Sequence, residues 1–420
     1  MVAINVPIVL TVLIAEPLNM QRQVKLLGNC FANIRRIRLN RKKVVENCIQ
    51  LIDRNYYFIN NQQKEWEQKK SRILFEAENA ESEDAAIEVL EKYIYEFHDP
   101  HTRLFYKVHP EYIISEAFYF DHGVLWCCIG DKYKKVLSVN DIKISNLINE
   151  YQTMLCGYPI ALIEDEIVKD IQLLQHKFKC NYIRLCCEFG EEICLYPTLF
   201  SQWLKDIHSV TQDKSLEPIY IERIDHKTIC IKILSFRVHE LYNQLKQKIE
   251  MYNDNYSTVI LDVRNNMGGY IEEAKQIVGG IIKNRVNLDY SISCIKSGSR
   301  TESECEITPI EDRLFNNKKI FVFINYRTMS AAEYIFAKAL QRDNICIIGE
   351  KSAGLKDQAE VFIIDEEITL QITTKRFIKN GNYMNEKMVP DIYIAPAVAH
   401  PGNEDPYVMW YKQLNTQVAN

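Results

Sequence analysis

Three short stretches carry residues whose types suit bond-breaking chemistry. "INYRTMSAAEYIFAKALQ" (residues 324–341) holds a serine, Ser330, where an apolar run gives way to a helical pattern. "LDVRNNMGG" (261–269) ends another apolar run with Asn265, Asn266 and the pair Gly268–Gly269. Paired glycines let main chain approach a ligand closely, and free amides at a helix start can receive a developing negative charge. A hydroxyl beside such amides is the arrangement that acyl transfer to serine needs. Each stretch also has a plain structural reading. Ser330 reads as an N-cap, with Glu333 three residues on completing a capping box, and the glycines read as an ordinary strand–helix turn. Position favours the chemistry: both joints fall at the carboxyl ends of strands in what reads as one sheet, where ligands collect.

A serine nucleophile needs a proton acceptor. "FHDPHTRLF" (97–105) offers His98 and His101. Asp99 and Pro100 between them predict a tight turn rather than a helical HxxH pair, which speaks against a metal, and a lone histidine is often only a satisfied polar group. "GEKSAGLKDQAE" (349–360) offers Lys356, a base if burial lowers its pKa and a solvated loop lysine otherwise.

The elements that must position these groups are visible in the periodicity. From about 18 to 97, apolar residues recur at three and four, as in "VVENCIQLIDRNYYFI", and Ser82 suits an N-cap ahead of "EDAAIEVLEKYI". From about 117 to 235 short strands and turns follow. Asn140–Asp141 marks a turn before a helix near Ser145, and Phe189–Gly190 marks a hairpin. From about 217, Val/Ile runs such as "STVILDVR", "KKIFVFIN" and "NICIIGE" alternate with helical segments, which predicts a largely parallel sheet covered on both faces.

With 420 residues the chain exceeds one compact core, so two or three domains are expected. Hydrophobic residues make up 47% and charged residues 25%, enough apolar material to argue against long disorder. A net charge of −5 implies no basic surface for nucleic acid, and the basic run "RRIRLNRKK" (35–43) reads as a solvated helix face. Thirteen cysteines without a CxxC read as reduced thiols in a cytosolic protein rather than a zinc ribbon. The apolar start "MVAINVPIVLTVLIAEP" has no basic residue before Arg22 and carries Pro7. It is too short to span a bilayer, so it reads as a buried strand without stable membrane insertion, with an atypical export signal as the alternative.

These pieces, in this order, resemble the C-terminal processing and tricorn-like serine peptidases over most of residues 45–395. "HDPHTRL" looks like that family's D-P-H-T/S element, and "KVLSVNDIKISNL" resembles its PDZ-like peptide-recognition segment. "LDVRNNMGG" resembles L-D-L-R-x-N-x-G-G, "MSAAEYIFAKALQ" the nucleophile motif S-A-x-E, and "IIGEKSAG" and "MVPDIYI" the later G-E-x-T-x-G and G-V-x-P-D-I.

The resemblance implies a multidomain α/β protein. Residues 1–110 would form an N-terminal helical region ending in the DPHT element, and 111–215 a degenerate PDZ-like α+β segment. Residues 216–400 would form a crotonase/ClpP-like catalytic core, and 401–420 a C-terminal tail. It implies a serine endopeptidase that matures peptides or unfolded protein tails, with no cofactor or metal. The nucleophile would be Ser330, with oxyanion donors from the N–H groups of Gly268 or Gly269 and of Ala331. Two styles of base exist in the family. His101 with Glu386 as its orienter matches the tricorn-like branch and is the expected pair, although Glu386 stands closer to Pro390 than the pattern. Lys356 matches the other branch in spacing but not in its flanking glycines, and is the alternative. Two further functions compete: a peptide-binding module of the same fold that has lost turnover, and a crotonase-type thioester enzyme, for which no acyl-CoA pocket signal is visible. A homo-oligomer is compatible with the sequence.

Overall fold

The computed structural model describes residues 41–58, 63–106, 111–130, 132–174, 178–203, 217–252, 255–296, 299–365, 367–383, 386–396 and 405–418. The apolar start, read above as a strand, and most of the basic run 35–43 lie outside the described residues. The chain divides into two compact units. One comprises 1–52, 62–216 and 361–371, the other 53–61, 217–360 and 372–420.

In the first unit the three-and-four periodicity becomes helices, including Gln63–Glu78 and Glu83–Tyr95. Ser82 caps the second of these as expected, its side chain accepting from the Ala85 N–H at 3.0 Å. An antiparallel sheet follows, in the order Ala117–Asp121, Val124–Ile129, Lys132–Val139, Ile183–Cys187 and Glu192–Leu195. The expected turn at Asn140–Asp141 is present, with φ of 47° and 66°, a pair that these short polar side chains tolerate. It leads into the helix Ile144–Met154, and Ile160–Gln172 follows. The Phe189–Gly190 turn joins the last two strands of the sheet.

In the second unit a six-stranded sheet has the order Ile219–Asp225, Thr228–Ile233, Thr258–Asp262, Lys319–Ile324, Cys346–Gly349, Ile392–Tyr393. All neighbours are parallel except the first pair. Every residue of Thr258–Asp262 is buried, as a continuous apolar run predicts for a sheet covered on both faces. Ile229, Ile231, Val259, Leu261, Val322 and Ile324 point into the larger core, which includes residues of the helices Leu241–Met251 and Ile271–Ile281. The alternate residues Cys230, Ile260, Phe321, Phe323 and Ile348 pack against Tyr407 and Tyr411 of the helix Pro406–Val418. The tail therefore supplies the second cover of the sheet.

A long antiparallel hairpin, Val286–Lys296 with Ser299–Ile307, pairs further with Ile368–Lys379. Its polar alternation gave no apolar run by which to expect it. Among the described residues all twelve cysteines are free, and no helix is long and apolar enough to cross a membrane.

Candidate active site

The strands Thr258–Asp262 and Lys319–Ile324 run parallel, with Asp262 opposite Phe323, so the chain leaves both at the same level. The two exits are laced together. Asn265, held at φ 60°, donates its N–H to Asn325 Oδ1 at 2.9 Å, and Asn325 Nδ2 returns a bond to Asn265 Oδ1 at 2.9 Å. Thr328 Oγ1 donates to the Val263 carbonyl at 2.9 Å, and the Met329 N–H to the Asn266 carbonyl at 3.0 Å. Asn266, wholly buried, donates from Nδ2 to the Ile233 carbonyl at 2.8 Å and accepts the Gly268 N–H on Oδ1 at 2.8 Å. Asn325 and Thr328 were not singled out in the sequence. Their position directly after a strand in the same sheet was the available signal.

This lacing presses the glycine pair onto Ser330. A Cβ added at Gly268, which has φ +89°, would stand 2.7 Å from Ser330 Cβ and 3.0 Å from the Ala331 nitrogen. One added at Gly269 would stand 2.3 Å from the Phe236 carbonyl carbon. The N–H of Gly268 is already taken by Asn266. Of the three amides expected to face the site, those of Gly269 and Ala331 are left for an oxyanion among the described residues.

Ser330 has φ 53° and ψ −128°, a conformation that costs a non-glycine residue about 1–3 kcal/mol and persists only where neighbours enforce it. They do so here. The Ser330 N–H donates to the Leu355 carbonyl and to Glu333 Oε1, each at 3.0 Å. The Glu333 N–H donates to the main-chain carbonyl of Ser330 at 3.0 Å. The expected box with Glu333 thus closes through the glutamate carboxylate. The following turn, Ala331–Ala337, is a wide π-type turn, a local irregularity frequent at functional sites.

Glu333 does more than cap. Fully buried, it accepts from the Leu355 N–H at 2.7 Å on Oε1 and from the Gly354 N–H at 2.9 Å on Oε2. Burial pushes its carboxyl up to about 7, against the hydrogen bonds from Ser352, Gly354, Ser330 and Leu355. One carboxylate therefore fastens the serine turn to the loop that ends in Lys356.

Lys356 is buried, and its Nζ lies 5.0 Å from the centre of the Tyr334 ring. Burial lowers its ammonium to about 8, opposed by the charges of Glu333, Glu386 and Asp357. Nζ makes no hydrogen bond among the described residues. The solvated-loop reading of this lysine is overturned. Glu386 is exposed, and its main-chain carbonyl accepts the Tyr334 hydroxyl.

His101 belongs to the first unit, whereas Ser330, the glycines, Ala331, Lys356 and Glu386 all belong to the second. The expected turn around it is present. Asp99 accepts the His101 N–H on Oδ1 at 3.0 Å and the Thr102 hydroxyl on Oδ2 at 2.8 Å, and the imidazole is buried.

Residues 227–394 match the family model described as Peptidase family S41. A 177-residue stretch is 27% identical to the carboxy-terminal processing protease CtpA of Bacillus subtilis (strain 168), covering 41% of this chain and 36% of that protein. The match thus spans about a third of the curated relative's length. Among solved structures, mature CPAF superposes with a TM-score of 0.66 at 14% identity, over 90% of this chain and 97% of that one. Mature CPAF complexed with lactacystin gives 0.64 at 14% identity, with the same coverage. At that identity the likeness speaks for the fold. The family match takes in Ser330, both glycines, Lys356 and Glu386, and leaves His101 outside.

Proposed function

We propose that this chain, whose residues 227–394 match the model of peptidase family S41, belongs to that family and is a serine endopeptidase that cuts peptides or unfolded protein tails through an acyl-enzyme. The observation that carries the reading is the contact between Gly268 and a strained Ser330, which sets a hydroxyl beside the amides of Gly269 and Ala331.

In this reading the neutral amine of Lys356 takes the Ser330 proton as Oγ attacks the scissile carbonyl. The N–H groups of Gly269 and Ala331 hold the oxyanion, a single such donor being worth about 10²–10³ in rate. Lysinium then protonates the leaving amine, and water, deprotonated by the same lysine, hydrolyses the ester. Lys356 is preferred over His101 because its pKa is lowered and it sits on the loop that Glu333 ties to Ser330. His101, with Glu386 as orienter, is the second reading, favoured by its burial within the Asp99 turn.

The finer architecture belongs to the same proposal. Residues 216–400 act as a crotonase/ClpP-like catalytic core, residues 111–215 as a PDZ-like segment presenting substrate, and 1–110 and 401–420 as flanking regions. The free cysteines support a cytosolic setting, which N-terminal sequencing of the mature protein tests; a start after residue 16 favours export. An assembly of identical chains, as a homo-oligomer, is compatible with this function.

A fluorophosphonate probe tests the chemistry. It should label wild type and spare Ser330→Ala. Peptide binding without labelling of either protein would favour the non-catalytic binding module.

A further inference from the structure

The second unit holds a cavity of ≈ 400 Å³ that shares a wall with the site just described. Tyr334 separates the two: its ring carries Lys356 Nζ on the one hand and lines the cavity on the other. The wall formed by 386–391 is tied to the loop before Lys356. Ser352 donates its N–H to the Met388 carbonyl at 3.1 Å, and the Met388 N–H returns to Ser352 Oγ at 2.8 Å.

The lining has a definite chemistry. Leu288 and Met388, both buried, join Tyr290 and Tyr334 as an apolar floor. Lys338 and Arg342, one helical turn apart, and Lys379 from the end of Ile368–Lys379 supply three cations. Lys387 adds a fourth. Two carboxylates oppose them, Glu386 and Asp391. Asp391 is committed within the fold, accepting Gln341 Nε2 and the Ile347 N–H at 2.8 Å each. Arg342 pairs with Asp289, whereas among the described residues the Lys338 ammonium meets the neutral Gln341 Oε1, at 3.0 Å. Burial and the neighbouring charges of Arg342 and Lys379 lower Lys338, opposed by Asp391 and Asp289. Cations gathered over an apolar floor leave a cavity short of negative charge.

We propose that this cavity is a substrate subsite that binds a carboxylate carried on an apolar stem. The carboxylate meets Lys338 and Lys379, while the stem lies on Leu288 and Met388. A peptide offers that group in two ways, as its C-terminal carboxyl or as a Glu or Asp side chain. The proposal rests on the endopeptidase reading for its purpose, but binding can be measured without turnover.

Ser330→Ala protein would be titrated, by fluorescence anisotropy, with labelled random decapeptide pools. One pool carries a free C-terminus and a second is amidated; a third and fourth contain Glu or Gln at fixed positions. Acid forms should bind about tenfold more tightly than their neutral partners, the worth of one charge-assisted contact. Adding Lys338→Met and Lys379→Met should erase that difference, and Lys338→Arg with Lys379→Arg should restore it. A preference following the free terminus identifies a tail end, one following Glu identifies a side chain, and either upholds the subsite. Equal binding of acid and neutral pools, or no binding of any pool at millimolar concentration, overturns it. The peptidase reading is judged separately by fluorophosphonate labelling of wild type. Absent labelling with an intact acid preference would remove the enzyme and keep the site.

Discussion

Gly268 and Ser330 are packed so closely that any side chain at 268 would displace the serine, a Cβ there standing 2.7 Å from Ser330 Cβ. Gly268→Ala should therefore act on the nucleophile without touching its chemistry. A misplacement of about 1 Å costs on the order of 10² in rate. We expect kcat to fall by about that factor and the thermal midpoint to drop as well, since the new Cβ also meets the Met329 carbonyl oxygen at 2.9 Å at a positive φ. Steady-state kinetics beside a calorimetric scan decide the matter; near-normal kcat would show that the close approach has no catalytic use.

The strain at Ser330 gives a second expectation. Glycine adopts φ 53°, ψ −128° freely, so replacing Ser330 by glycine relieves about 1–3 kcal/mol, less about 0.5–1 kcal/mol for glycine's greater freedom when unfolded. Ser330→Gly should thus unfold about 1 kcal/mol later than Ser330→Ala in urea, while both are inactive. If alanine proves the more stable, the backbone at 330 is not held under strain.

The parallel core and the meeting of its two functional joints were legible because both depend on local signals. Buried Val/Ile runs announce such strands, and the ends of neighbouring parallel strands share one edge. The rest depended on chain folding back from afar. Glu333 is visible as a capping residue, but its grip on Gly354 and Leu355 exists only once that loop returns to the serine turn. The same holds for Lys356: no local pattern announces that its ammonium will be buried against Tyr334, and its flanking sequence departs from the family pattern. In the hairpin Val286–Lys296 with Ser299–Ile307 the first strand does alternate, Val286, Leu288, Tyr290 and Ile292 against polar neighbours, but it lacks the continuous Val/Ile run of the parallel strands, and its mostly polar partner Ser299–Ile307 announces itself weakly.

The choice of base has a pH signature. Lys356 serves only when neutral, and burial lowers it to about 8. Activity limited by chemistry should rise with pH and level off above about 8. Lys356→Ala should abolish turnover by at least about 10², the scale of general-base assistance, and Lys356→Arg, which stays protonated, should fail equally. His101→Ala should keep most of the rate. A profile with its inflection near pH 6 to 7, the ordinary range of histidine, together with an inactive His101→Ala protein, would give the role to the imidazole.

Glu333→Gln separates the fastening of the site from its charge. A carboxylate offers acceptors on both sides, and the structure uses both, toward Ser330 and Leu355 on Oε1 and toward Gly354 on Oε2. An amide must turn its NH₂ toward one of these N–H groups and leave a buried donor unmet, which costs about 1–3 kcal/mol. The pH dependence has a definite sign. Because the folded carboxyl is raised from 4.5 to about 7, its contribution to stability is fully present below pH 4.5 and is lost as pH rises through about 7. Wild type should therefore lose stability across that window relative to Glu333→Gln, which does not titrate there. The two proteins differ most at acid pH and converge toward neutrality. Urea midpoints at pH 5 and pH 8 measure this directly; a gap that stays the same between them would mean that Glu333 is held as a carboxylate throughout.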